Sequence, residues 1–166
     1  MDLVIAIPVF ILTAMLQVAG ISRLPLIHGT ADLSLLVLIA WGIHSRSSLA
    51  WVWAIIAGIV NVFYSQVNWL AIILPYTVIL VITRLFHGRF WNSPILVMLL
   101  MTIIGSILVQ ATTLLVLFFQ EIPFNLNQAF SEIMLPSIFL NLILALPVYF
   151  LVKDLSFRLY PQVENE

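Results

Sequence analysis

The stretch ILVMLLMTIIGSILVQATTLLVLFF, residues 95–119, contains no charged residue. A helix needs about 20 mostly apolar residues to cross a bilayer, so this stretch is long enough to cross with some tilt. Five more apolar runs occupy residues 3–21, 31–43, 49–64, 69–86 and 133–152. The sequence therefore predicts an all-α integral membrane protein, with six transmembrane helices in a single domain over residues 1–166.

Composition agrees with a membrane location. Apolar side chains make up 63% of the chain and charged ones 8%, against roughly a quarter charged in soluble proteins. We expect the six basic and seven acidic residues to lie at the seams between runs or at the ends of the chain. Ion-coupled transport usually needs an ionisable group at membrane depth, so this distribution argues against it. The chain also lacks a long run of basic residues of the kind that binds nucleic acid.

Residues suited to catalysis or metal binding are sparse. Cysteine is absent, and the three histidines lie in seams without a carboxylate at ligand spacing, so we expect neither a metal site nor a cofactor. Asp32, Glu121 and Glu132 are expected to be solvated loop charges on one face. The prediction is that the protein is not an enzyme.

Basic residues suggest an orientation, because they favour the cytoplasmic side of short loops. With six helices and both termini inside, Arg23 alone among the basic residues faces outward. The others face the cytoplasm: Arg46, Arg84, Arg89, Lys153 and Arg158. The second run is short for a full crossing, but without its crossing Arg46 would fall on the opposite side from Arg84.

Four amide side chains lie inside the apolar runs: Gln17, Asn61, Gln110 and Asn141. An amide in hydrocarbon needs a hydrogen-bonding partner, so these side chains should face other helices. Interhelical bonding is the favoured interpretation, and the lining of a ligand pocket is the alternative.

Two features are candidates for contact with a partner protein. Ala50, Ala54 and Gly58 recur at four-residue spacing, which lets helix backbones approach closely, either within this chain or against another protein. Residues 124–132 resemble a short interfacial amphipathic helix, on which Leu126 and Phe130 are the predicted contacts.

Three segments resemble MreD, the membrane subunit of the bacterial rod-shape machinery. ADLSLLVL at residues 31–38 is similar to that family's Pro-Asp-Leu-Leu-like opening of helix two, with Ala31 in place of the proline. AGIVN at residues 57–61 resembles its third helix, although the family often has an aspartate where Asn61 stands. PSIFLNLILALP at residues 136–147 resembles its last helix.

The resemblance implies a non-enzymatic scaffold of the elongasome in the bacterial cytoplasmic (inner) membrane. Such a scaffold binds the single-pass protein MreC and couples the cytoskeletal filament to peptidoglycan synthesis by a RodA-type glycosyltransferase and a class B penicillin-binding protein. MreD-like proteins are also similar in fold to the S components of energy-coupling-factor vitamin transporters. A substrate-binding S component is therefore the alternative function, although the Ala-x-x-x-Ala pattern typical of its first helix is missing from residues 3–21.

Overall fold

The computed structural model describes residues 2–19, 29–44, 50–64, 68–86 and 93–159, and contains no strand among them. Six of its seven α-helices follow the apolar runs, and the other, α6, is a single short turn. A π-helical segment, Ala129–Met134, joins α6 to α7. The α-helices are α1 Asp2–Ala19, α2 Leu33–His44, α3 Ala50–Tyr64, α4 Trp69–Phe86, α5 Pro94–Phe119, α6 Leu126–Gln128 and α7 Leu135–Leu159.

Three helical stretches are long and apolar enough to cross a membrane: Trp69–Phe86, Pro94–Phe119 and the continuous Leu126–Leu159. Three shorter apolar helices accompany them, at Val4–Ala19, Leu33–His44 and Ala50–Phe63. The prediction of an all-helical chain is confirmed for the described residues, and the length and composition of three helical stretches agree with the prediction of a membrane protein.

Among the helices that follow the apolar runs, α2 is the shortest, and it lies at the centre of the bundle. Every residue of α2 from Leu33 to Ile43 is buried. The helices α1, α3, α4, α5 and α7 all pack against it. The core therefore surrounds an apolar helix that is shielded on all sides by other helices.

The small-residue face of α3 packs inside the chain. Ala50 and Ala54 are fully buried, and a Cβ placed on Gly58 would stand 2.7 Å from Ile73 Cγ1 of α4. Glycine at this position permits the close approach of α3 and α4. The prediction that Ala50, Ala54 and Gly58 meet a partner protein is therefore corrected, because these residues are covered by the chain's own helices.

The last helix differs from its predicted range, 133–152. The expected interfacial helix at 124–132 is no separate element, since its residues from Leu126 onward continue through the π-helical segment into α7. At the other end α7 extends to Leu159, with Asp154 and Arg158 forming an exposed ion pair of 2.9 Å. Hydropathy falls after Val152, but the helical hydrogen bonding continues beyond it.

The distribution of charge is also corrected. Arg84 belongs to the last turn of α4, so its charge lies on a helix rather than in a seam. Lys153, Asp154 and Arg158 lie towards the end of the chain as expected, but they belong to α7 rather than to a tail after it. The predictions for Arg23, Arg46, Arg89 and two of the histidines, His28 and His87, lie outside the described residues.

Candidate functional site

The amino-terminal end of α2 is held by polar side chains from other parts of the chain. The first N–H groups of a helix have no partner within it and must be satisfied elsewhere when they are buried. The Leu33 N–H donates to Gln17 Oε1 of α1 at 3.2 Å, and the Leu35 N–H donates to Asp32 Oδ1 at 3.0 Å. Asp32 is thus the N-cap of α2.

Asn141 of α7 joins this end of α2 to α5. Its Oδ1 accepts from the Asp32 N–H at 2.7 Å, and its Nδ2 donates to Ser106 Oγ at 2.8 Å. One turn away on α7, Ser137 Oγ accepts from the Thr30 N–H at 3.0 Å. The Asn141 amide therefore links α7 to the start of α2 and to α5.

Tyr76 of α4 completes the surroundings of Asp32. Its hydroxyl oxygen lies 2.7 Å from both Asp32 Oδ1 and Asp32 Oδ2, and the Tyr76 side chain itself is buried. The expectation that Asp32 is a solvated loop charge is wrong. This carboxylate is partly buried, caps a central helix and accepts hydrogen bonds from two different helices.

A cavity of about 230 Å³ opens beside Asp32. Its wall is drawn from α1, the start of α2, α3, α4, the second half of α5, the π-helical segment and α7. The lining residues are Gln17, Thr30, Ala31, Asp32, Leu35, Asn61, Ile72, Tyr76, Ser106, Val109, Gln110, Thr113, Ile133 and Asn141. The four amides singled out in the sequence, Gln17, Asn61, Gln110 and Asn141, are all among them.

The four amides differ in what they do. Gln17 and Asn141 hold the start of α2, whereas Asn61 Nδ2 donates to Ala57 O within its own helix at 2.9 Å. Gln110 makes no hydrogen bond within the part of the chain that the structure describes. Interhelical bonding and the lining of a cavity were alternatives at the level of sequence. All four amides line the cavity, and Gln17 and Asn141 also bond to other helices or to the start of α2.

Sequence reasoning missed Tyr76, Ser106 and the capping role of Asp32. A detectable signal existed for two of them. An aspartate directly before an apolar helical run is a typical N-cap, and a tyrosine inside an apolar run needs a partner for its hydroxyl.

Charge is unevenly distributed between the two ends of the bundle. Among the described residues that line the cavity, Asp32 is the only charged side chain. The described basic residues lie towards the opposite end: His44, Arg84 and Arg158 on the final turns of their helices, and Lys153 earlier in the second half of α7. The same far end holds a stacked pair, Trp41 and Trp53, with ring centroids 3.7 Å apart.

In chemical terms the cavity can accept hydrogen bonds and balance one positive charge. No group of three or more metal-ligating side chains is found in the described ranges.

A second feature is an open, mainly apolar groove of about 650 Å³ at the end of α5. We call it the 118–126 groove, lined by Phe118, Phe119, Glu121, Ile122, Pro123, Phe124 and Leu126. Leu126 is 66% exposed, and Phe130, one turn further on, is 54% exposed. Both residues that were predicted to contact a partner from this segment lie on the surface.

Comparisons of the chain with protein-family models, with curated proteins and with solved structures find no match.

Proposed function

We propose that this chain is a non-enzymatic membrane scaffold of the bacterial elongasome, and that it binds an MreC-like single-pass membrane protein. In this role it helps couple the cytoskeletal filament to peptidoglycan synthesis, and through that complex it meets a RodA-type glycosyltransferase and a class B penicillin-binding protein. The sequence resemblance of residues 31–38, 57–61 and 136–147 to MreD motivates the proposal.

The structural observation that carries the proposal is the 118–126 groove with Phe130 beside it. Interfaces for apolar helices use hydrophobic grooves, into which a partner helix places side chains at helical spacing. Leu126 and Phe130 are one helical turn apart and exposed. An apolar partner segment would cover them and fill the groove.

The membrane arrangement we propose has six crossings with both termini in the cytoplasm. The cavity wall supports alternating helix directions, because it combines the carboxyl-terminal ends of α1 and α3 with the amino-terminal ends of α2 and α4. The opposite end carries Arg84, Lys153 and Arg158, which favours the cytoplasm for that end. With 12 residues, α2 is about 18 Å long, which is shorter than the hydrocarbon core of a bilayer. In the proposed arrangement the longer helices around α2 therefore span the full thickness of the bilayer.

The orientation can be tested directly because the chain has no cysteine. Asn127→Cys and Asp154→Cys place single thiols at exposed positions on opposite ends of the bundle. We expect a membrane-impermeant maleimide to label Asn127→Cys on intact spheroplasts and Asp154→Cys only after lysis. Labelling of both from the same side would refute the proposed topology.

The scaffold role is tested by co-purification in mild detergent with a co-expressed MreC-like protein. We expect the double variant Leu126→Ser with Phe130→Ala to lose most of the recovered partner. Phe150→Ala is a matched control, since Phe150 is also 54% exposed but lies near the other end of α7. Failure of the unmodified chain to recover the partner, together with unchanged cell width on depletion, would overturn the scaffold proposal.

The polar cavity supports one alternative, a substrate-binding S component of an energy-coupling-factor vitamin transporter. Pockets of this kind combine an apolar wall with a few converging polar groups. Against it, the pair Ala50 and Ala54 is fully buried and is not exposed to a transport partner. Native mass spectrometry distinguishes the roles, because a vitamin bound with nanomolar affinity would favour the transporter.

A further inference from the structure

We propose that the cavity beside Asp32 binds a primary ammonium group, carried either by a small free amine or by an ethanolamine lipid headgroup. This inference concerns the cavity itself and holds for either role described above.

The first argument is charge. Asp32 is the one charged residue among the described residues of the cavity wall. The described groups that bind its carboxylate are neutral, namely the Tyr76 hydroxyl and the backbone N–H groups of Leu35 and Ser34. A carboxylate removed from water is costly unless an opposite charge or sufficient hydrogen bonding compensates it. A cation in the cavity would supply an opposite charge that the described residues of the wall do not provide.

The second argument is hydrogen-bonding capacity. A carboxylate offers about four acceptor sites. Tyr76 lies within 2.7 Å of both oxygens but has a single proton to donate, and the Leu35 N–H occupies one further site. With the Ser34 N–H counted as well, the described residues leave about one acceptor site of Asp32 open. The Gln110 amide, which lines the same cavity, makes no hydrogen bond to the described residues. An ammonium group has three donors to place among such acceptors.

The third argument is size. The volume of about 230 Å³ lies below the roughly 300–1,000 Å³ of pockets for drug-sized ligands. It is also several times the roughly 30 Å³ that one water molecule takes in the liquid, which is more room than a bare monovalent ion needs. An ammonium group on a short polar arm fits between these limits.

The test measures binding of ethanolamine to the full chain in phosphatidylcholine nanodiscs by calorimetry, with ethylene glycol as its uncharged analogue. A second arm exchanges part of the lipid for phosphatidylethanolamine and detects retained lipid by native mass spectrometry. Binding of free ethanolamine identifies a soluble amine as sufficient, and selective retention of phosphatidylethanolamine alone identifies the lipid headgroup as the source. Either result supports the proposal.

Variants connect the binding to the cavity. We expect Asp32→Asn, which keeps a good N-cap, to weaken ammonium binding about 10-fold to 100-fold, as for loss of a hydrogen bond to a charged group. Gln110→Met keeps side-chain volume and should weaken it about 3-fold to 10-fold. Asp154→Asn removes an exposed carboxylate at the other end of the bundle and should leave the affinity unchanged.

Three outcomes would overturn the proposal. The first is that neither ethanolamine nor phosphatidylethanolamine is bound selectively, and the second is that ethylene glycol binds as well as ethanolamine. The third is that folded Asp32→Asn and Gln110→Met both bind the amine with the affinity of the unmodified chain. Because the 118–126 groove is a separate surface, a negative result here leaves the co-purification experiment unaffected, and the two failures are distinguishable.

Discussion

Replacement of Asn141 by leucine is the most informative single perturbation of the fold. Leucine has the same number and branching of side-chain heavy atoms as asparagine, so the change removes hydrogen bonding while it keeps the shape of the side chain, although its methyl groups are bulkier than the amide. Asn141 is 2% exposed, so water does not readily replace the lost amide. The variant leaves the Asp32 N–H without its acceptor at 2.7 Å and Ser106 Oγ without its donor at 2.8 Å.

The expected loss follows from these two bonds. Interhelical hydrogen bonds in membrane proteins average about 0.6 kcal/mol, with a maximum of about 1.7 kcal/mol. Since both bonds are short and one satisfies a buried backbone N–H, we expect a decrease of about 1–3 kcal/mol in the free energy of unfolding. The effect should resemble loss of a helix cap, which typically costs about 1 kcal/mol, with a second bond added.

The assay is equilibrium unfolding in bicelles by steric trapping, with Asn127→Leu as the control. Asn127 is exposed and its side chain makes no hydrogen bond within the described ranges, so this control should change stability by less than about 0.5 kcal/mol. A double-mutant cycle with Ser106→Ala isolates one bond. The double variant should be more stable than additivity predicts by about 0.5–1.5 kcal/mol, since the serine already lacks its donor when Asn141 is absent.

The reasoning would be refuted if Asn141→Leu were as stable as the unmodified chain, or if the cycle with Ser106→Ala showed strict additivity. The first result would mean that the start of α2 does not depend on side chains from α7. The second would mean that Asn141 and Ser106 are not energetically coupled.

Three further substitutions test other parts of the structure by thermal unfolding in detergent. Gly29→Ala should destabilise the protein by about 2–3 kcal/mol, because the new Cβ would stand 2.5 Å from Pro136 Cβ and 2.9 Å from its backbone carbon. Tyr76→Phe should cost about 1–2 kcal/mol through loss of the hydroxyl that binds Asp32. Glu121→Gly should stabilise by about 0.5–1 kcal/mol, because Glu121 has a φ of 56°, which disfavours a side chain.

Each of these three has a control or a contrary outcome. Gly105→Ala meets its nearest atom, the side-chain Cγ1 of Ile79, at 3.2 Å and no backbone atom that is closer, so it should cost clearly less than Gly29→Ala. Glu121→Ala retains the strained backbone and should be nearly neutral. Equal effects of the two glycine changes would contradict the argument from close packing at Gly29. An equal gain in stability from Glu121→Ala and Glu121→Gly would contradict the argument from backbone strain. An unchanged melting temperature for Tyr76→Phe would contradict the contribution of the Tyr76 hydroxyl.

The apolar runs predicted the helices well because burial in hydrocarbon forces backbone hydrogen bonding into helices. The bounds of α4, Trp69–Phe86, agree with the prediction, whereas α7 does not end where hydropathy falls. Hydropathy measures transfer into lipid, and residues 153–159 keep helical hydrogen bonds with Val152 and Ser156 buried and Asp154 exposed. The π-helical segment has no signature in apolar periodicity and could not be predicted from it.

The candidate site was predicted in part. Gln17, Asn61, Gln110 and Asn141 stood out because amides are costly in hydrocarbon, yet nothing in their spacing showed that they meet at one cavity. That requires the helix directions and the packing of five helices around α2. Ala50 and Ala54 illustrate the reverse problem, because small residues permit close packing without indicating which helix they pack against.

The partners that satisfy the start of α2 also place an order on its assembly. The acceptor of the Asp32 N–H is Asn141, which is 109 residues further along the chain. The acceptor of the Thr30 N–H is Ser137, 107 residues further along. During synthesis the segment from Thr30 to His44 is therefore made long before α7 can reach it. Its polar start must stay in water or at the insertion machinery until then. The central helix α2 is accordingly among the first to be synthesised, but its amino-terminal hydrogen bonds are completed only when α7 packs against it. Truncation of α7 should therefore leave α2 exposed to quality-control proteases.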